Sequence, residues 1–441
     1  MTILYLLNLL GFPLTLIFSS IYFTRYFRLD WLNPLTAVAG AFLPSALVTS
    51  LTGPAVILDG GLFNPDFQYA MLVNNVHETF SALTLIVIVR LSTRNRGIIR
   101  LTDRFARSGG RANPKQMRLA AFFFLGLYFL SFVLLAQHSF SVLQWIANPR
   151  IGYQLHRAGA GQWFALAITA LSVSIVLMAT YQRSTQTVLA LSPFYIFLVY
   201  LLGSKGLILN FAVYLVIMLA IRQYRYFNVV ALAVGVGAAA LVAFSLFSTL
   251  GSLDLSTLAA YSDGYTNAAS YYHKYLRGEL PLLNGQVFLS NFWGLVPRAL
   301  YPNKPYIYGT TLIAEVFYPG AAEQTNTPAF ATVIYFADFG WIGVLLSALF
   351  NPGTLLTAFL YSLVLPRLKL LNAERGEKHS LFLTYAFLLL AAPSFLLFFE
   401  FPNDALLFAL IAGIVNASNR IRVRTTVGDK DRYPEPRMQG E

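Results

Sequence analysis

The feature that most constrains this chain is a recurrence. Apolar runs of about 20 residues return along its whole length, each long enough to carry a helix across the ~30 Å hydrocarbon core of a bilayer. They fall near 2–22, 34–57, 70–89, 119–137, 162–181, 187–202, 207–221, 228–248, 340–365, 381–399 and 404–419. A helix satisfies every backbone N–H and C=O within itself, which an open sheet edge in lipid cannot do. The expected fold is therefore all-α, a polytopic membrane protein of about 11 transmembrane helices with one large extracytoplasmic loop subdomain. Pro44 and Pro54 interrupt the second run, and Asn351-Pro352-Gly353 breaks the ninth. Charged residues make up 11% of the chain, against about 25% in a soluble domain. The first run lacks a preceding basic region and a small-residue cleavage site, so it reads as an uncleaved span. There is no cysteine, which removes disulfides, thiolate nucleophiles and Cys-ligated metals.

The cations give the orientation. Arg25 and Arg28, the basic segment Arg90 to Arg118, Arg183, Arg222 and Arg225, the group Arg367, Lys369, Arg375 and Lys378, and the tail from Arg420 all follow alternate spans. Cytoplasmic loops carry the excess of Lys and Arg, so the N-terminus is expected outside and the C-terminus in the cytoplasm. The net charge of +12 is then an orientation signal rather than a nucleic-acid footprint. The implied organisation is a bundle of about eight spans over 1–249, the outer loop over 250–339, about three spans over 340–419 and a polar tail over 420–441.

Seven cations fall on the outer side against this bias: Arg150, Arg157, Lys205, Lys274, Arg277, Arg298 and Lys304. Cations at that face ask for a reason. Arg298 and Lys304 lie in Ser290–Thr311, where Pro297, Pro302 and Pro305 forbid a long regular helix. Phe292, Trp293, Tyr301, Tyr306 and Tyr308 surround them. A fixed backbone, two cations and a ring of aromatics suit an anionic head group bearing a sugar, as in a lipid diphosphate. The same composition also suits an interfacial aromatic belt beside phospholipid phosphates.

A diphosphate leaving group needs its charge neutralised by a metal or by an Arg and Lys clamp. The outer acids form no close pair, so cations without metal or cofactor are the better fit, with Arg298 at the centre. Attack by a sugar hydroxyl wants a carboxylate or imidazole as base. Asp263, His273, Glu315 and Asp338 are the candidates retained, beside His156, Glu323, Glu400 and Asp404. Within the third run, Asn74, Asn75, His77 and Glu78 form a polar cluster suited to a cavity or an interhelical hydrogen bond. Walker A, dinucleotide-binding, zinc-protease and nucleophile-elbow signatures are absent.

With those residues in view, the chain resembles the oligosaccharide repeat-unit polymerases of the O-antigen and enterobacterial-common-antigen type. The resemblance rests on Leu295-Val296-Pro297-Arg298-Ala299-Leu300-Tyr301-Pro302-Asn303-Lys304-Pro305 in the large outer loop. It rests also on the turn Gly203-Ser204-Lys205-Gly206, where the family more often has arginine, and on Arg157-Ala158-Gly159-Ala160-Gly161. It implies a bacterial inner-membrane glycosyltransferase that uses polyprenyl-diphosphate-linked oligosaccharide, beside a chain-length regulator and a flippase. Arg298, Lys304, Lys205 and Arg157, supported by Arg150 and Arg277, would hold the diphosphates. Tyr271, Tyr272, Trp293, Tyr301 and Tyr306 would stack on sugars or close the loop. An O-antigen ligase is the nearest alternative, for which a loop histidine such as His273 would matter. A transporter is the other, although no inverted repeat is visible.

Overall fold

The computed structural model describes residues 2–26, 64–107, 114–139, 141–149, 161–181, 184–221, 225–250, 265–296, 300–320 and 330–350, with a few positions near 363 and 409–417. Among these residues the chain is helical, without strands. Among the described residues, four helices contain stretches long and apolar enough to cross a membrane: Leu6–Tyr26, Pro65–Arg94, Lys115–Gln137 and Gly161–Met178. Shorter apolar helices include Thr185–Leu201 and Trp341–Phe350. The chain is thus a multi-pass helical membrane protein. The second and tenth expected spans, and most of the ninth and eleventh, lie outside the described residues.

Two hydrophobic cores organise these helices. The first joins α4 (Pro114–Ser139), α5 (Val142–Ala147), α6 (Gly161–Tyr181), α7 (Thr185–Leu201) and α8 (Lys205–Ile221) through Tyr128, Trp145, Leu171, Tyr195 and Phe211. The last carbonyls of a helix lack intrahelical donors. At the end of α7 two buried side chains supply them. Tyr128 Oη donates to the Leu198 carbonyl at 2.8 Å, and Trp145 Nε1 donates to that of Leu201 at 2.6 Å. These bonds fix the turn that follows, where Gly203 adopts φ +68°, a conformation that favours glycine. Lys205 opens α8 directly after that turn. Helix α9 (Phe227–Leu250) packs along α8.

The second core unites α1 (Thr2–Tyr26) and α2 (Pro65–Arg94) with α10 (Tyr265–Leu276), α11 (Gln286–Ser290), α12 (Thr310–Phe317), α13 (Val333–Phe339) and α14 (Trp341–Phe350). Helix α2 is its axis, with α1, α10 and α14 packed around it. Asn64 caps the first turn of α2, its side chain accepting from the N–H groups of Asp66 and Phe67 at 3.0 Å each. At the far end of α2, the basic segment expected as a loop contains a helix, α3 (Arg96–Arg107). Asn95 caps it through bonds from Gly97 and Ile98. Its alternation of Ile98, Leu101 and Thr102 with Arg96 and Arg100 is that of an interfacial amphipathic helix.

Candidate active site

Between Asn291 and Gly309 the described residues form no regular α-helix, as the prolines require. After α11 comes one 3₁₀ segment, Asn291–Leu295, and residues 300–309 are turns and irregular chain. Two contacts clamp it. Trp293 stacks on Tyr301 with ring centres 5.5 Å apart and planes 22° from parallel. Lys304 is 8% exposed. Its Nζ donates to the Val296 carbonyl at 3.0 Å and lies 4.5 Å from the ring centre of Tyr308. The clamped positions flank Pro297-Arg298-Ala299, which lies outside the described residues. The far end is tied back by Gly309 N–H, which donates to Ser290 Oγ at 2.8 Å. Around this knot Phe292, Leu300, Tyr301 and Tyr306 are exposed, Tyr306 by 74%. Tyr301 and Tyr306 therefore present aromatic surface on one loop, with half-buried Trp293 stacked on Tyr301.

Other expected residues take different places. Arg150, Arg157 and Asp263 lie outside the described residues, and so does the side chain of Lys205. Arg277 is exposed, and its N–H donates to the His273 carbonyl, so it stands one turn beyond that histidine. Lys274 lies over the ring of Phe317 at 4.6 Å. Glu315 accepts from the Gly320 N–H at 2.8 Å, bracing the end of α12.

Two expectations need correcting. Tyr272 is fully buried, edge-on to Tyr69 and Phe336. It has no ring face for a sugar, because α10 turns its 271–272 pair into the core. Burial pushes the Tyr271 phenol up to about 12 and raises that of Tyr272 further, so both stay neutral packing groups. Asp338 is also buried, with both carboxylate oxygens engaged. Oδ1 accepts from Val287 N–H at 3.0 Å and Oδ2 from Phe288 N–H at 2.7 Å. It caps α11 from across the core, which is a structural task rather than that of a base.

The residue that sequence reasoning missed is Asp66. His273 Nδ1 lies 2.7 Å from Asp66 Oδ2, joining the loop helix α10 to the first turn of α2. The pairing spans 207 positions, and no local pattern announces it. A second imidazole–carboxylate pair, His77 Nδ1 and Glu78 Oε1 at 3.1 Å, lies deeper in α2 under the ring of Tyr335, with His77 1% exposed. Beside it Asn8 donates to the Gln68 carbonyl and side-chain oxygen, and Asn75 donates to Asn8 Oδ1. Gly11 leaves the room, since a Cβ there would come within 2.8 Å of Asn75 Nδ2. Asn75 and Gln68 thus join α2 to α1 through Asn8, while His77 and Glu78 pair within α2.

Arg277, the aromatic loop and the imidazole–carboxylate pair offer groups able to hold an anion, stack on a ring and accept a proton. No protein-family model matches the chain, and no solved structure does. Curated proteins similar to it include the O-antigen polymerases of Salmonella typhimurium (strain LT2) and of Salmonella typhi, each 27% identical over 237 residues and covering 52% of this chain. The chain spans 57% of the length of these relatives. Over that half, the comparisons support the family that the Pro297 to Pro305 run resembles, the O-antigen polymerases.

Proposed function

We propose that the protein is a membrane glycosyltransferase that joins polyprenyl-diphosphate-linked oligosaccharide repeat units on the outer face of a bacterial inner membrane. A growing chain on one carrier moves to the non-reducing end of a unit on another. The acceptor hydroxyl attacks the anomeric carbon, and the bond from that carbon to the diphosphate breaks. Arg298 carries the charge of the departing diphosphate, with Lys205, Arg157, Arg150 and Arg277 as further cationic contacts. Lys304 holds the loop that presents Arg298. Trp293, Tyr301 and Tyr306 give the sugars flat apolar faces. Chain-length regulation and delivery of the units fall to separate partners.

The observation that carries this reading is the clamp on either side of Arg298. The Trp293–Tyr301 stack and the Lys304–Val296 bond hold together the two sides of a loop rich in exposed rings. Its support outside the molecule is the similarity to proteins named O-antigen polymerase. Deletion of the gene followed by gel analysis of surface polysaccharide tests it. A lost ladder with a single capping unit retained is expected. Loss of all capping would indicate a ligase, and an unchanged ladder would remove both readings.

A further inference from the structure

The Asp66–His273 pair is built as an oriented base. A carboxylate only accepts hydrogen bonds, so the short contact places the ring proton on Nδ1 and leaves the neutral imidazole's lone pair on Nε2. Asp66 is itself fixed. Pro65 sets φ at the start of α2, Asn64 caps the turn from its own side chain, and the helix N-terminus favours the negative charge. The pair is also reachable, with side-chain exposures of 38% for His273 and 26% for Asp66. The His77–Glu78 pair offers the same chemistry, but its imidazole is 1% exposed beneath Tyr335 and cannot meet a sugar. One turn after His273 stands the exposed Arg277, so a proton acceptor and an anion ligand occupy neighbouring positions of one helix end.

We infer that His273 accepts the proton of the attacking sugar hydroxyl and that Asp66 is the positioning residue that orients it. This rests on the glycosyltransferase reading above. In the step, the acceptor O–H proton passes to Nε2 and the oxygen forms the new bond to the anomeric carbon. The carbon–diphosphate bond breaks, and its electron pair leaves with the diphosphate. The imidazolium then returns its proton to the released diphosphate or to water. The arrangement is that of a base held by a third group.

The test uses the full-length protein in proteoliposomes with purified lipid-linked repeat units. His273→Gln keeps a side chain able to hydrogen-bond Asp66 but removes the base. Turnover should fall about 10²–10⁴-fold, with KM for the lipid-linked unit and thermal unfolding little changed. Asp66→Asn should lower turnover by a smaller factor. Free imidazole should restore part of the turnover of His273→Ala, which a merely structural strut would not allow. Turnover of His273→Gln close to that of the wild type, or a His273→Ala protein that imidazole leaves inert, overturns the assignment while the polymerase reading stands. Wild-type protein that fails to join the units overturns the polymerase reading, and this assignment with it.

Discussion

Lys304 and Val296 are joined through a charged amine and a backbone carbonyl at 3.0 Å, and the bond closes the segment that contains Arg298. A lysine expected from sequence to hold phosphate thus spends part of its donor capacity on the loop itself. Desolvated charged hydrogen bonds contribute about 1.5–3 kcal/mol, and this one is shielded by the Tyr308 ring. The loop's order and the presentation of Arg298 are therefore coupled.

Lys304→Met should open that loop. Methionine keeps much of the packing over Tyr308 but removes the donor. Limited trypsin digestion reads the change, because the Arg298–Ala299 bond is cleavable whereas Pro305 protects the bond after Lys304. Cleavage at Arg298 is expected to speed up roughly tenfold or more, following the bond energy, and long glycan should fall in parallel. Unchanged digestion with a raised KM would instead make Lys304 a direct phosphate ligand.

Asp338→Ala should behave as a stability mutation. It strips the acceptor from the N–H groups of Val287 and Phe288, at a cost of about 1–3 kcal/mol. Asp338→Asn keeps one acceptor oxygen and should cost less. Thermal unfolding should shift in that order, with activity recovering at lower temperature. If Asp338 were instead the base, Asp338→Asn would be inactive at an unchanged unfolding temperature.

Much of this was legible because it is local. The prolines at 297, 302 and 305 announce an irregular segment, and the apolar runs announce the helices that carry it. The burial of Tyr272 was not legible. Neighbouring tyrosines at 271, 272 and 275 give no sign of which face α10 turns to α2 until α2 is in place. The same holds for Asp66, whose partner is a product of tertiary packing. The Asp338 cap reads in sequence as an acid at the start of a span, although its main-chain carbonyl also accepts from Asn284 N–H at 3.0 Å and fixes the turn before α11.

Gly309→Ala should damage the loop and Gly343→Ala the packing of α14 on α13, but only the first should respond to a second change. Gly309 has φ +58°, and a Cβ there would fall 1.9 Å from Asn291 Oδ1. Gly343 would place its Cβ 2.2 Å from the Tyr335 carbonyl oxygen, a main-chain atom that cannot be trimmed. Asn291→Ala should partly restore the yield of folded Gly309→Ala, leaving the backbone strain of about 1–3 kcal/mol. No side-chain substitution at 335 should restore Gly343→Ala. Detergent-extracted yield and thermal unfolding measure both.

The geometry of α2 makes a prediction about sides. Its 30 residues rise about 45 Å, more than the ~30 Å hydrocarbon core. Asp66–His273 pins α10 to its first turn, and the basic helix α3 begins just past its last. The two ends should therefore face opposite compartments, with the lysine and arginine bias setting α3 in the cytoplasm. The chain has no cysteine, so introduced thiols report without background. In cells with a permeabilised outer membrane, an impermeant maleimide should label Tyr306→Cys and spare Arg100→Cys until the inner membrane is broken. Equal labelling would end the reading of α2 as a span. Labelling of Arg100→Cys alone would put Arg298 on the cytoplasmic side, away from any outward-facing lipid-linked glycan.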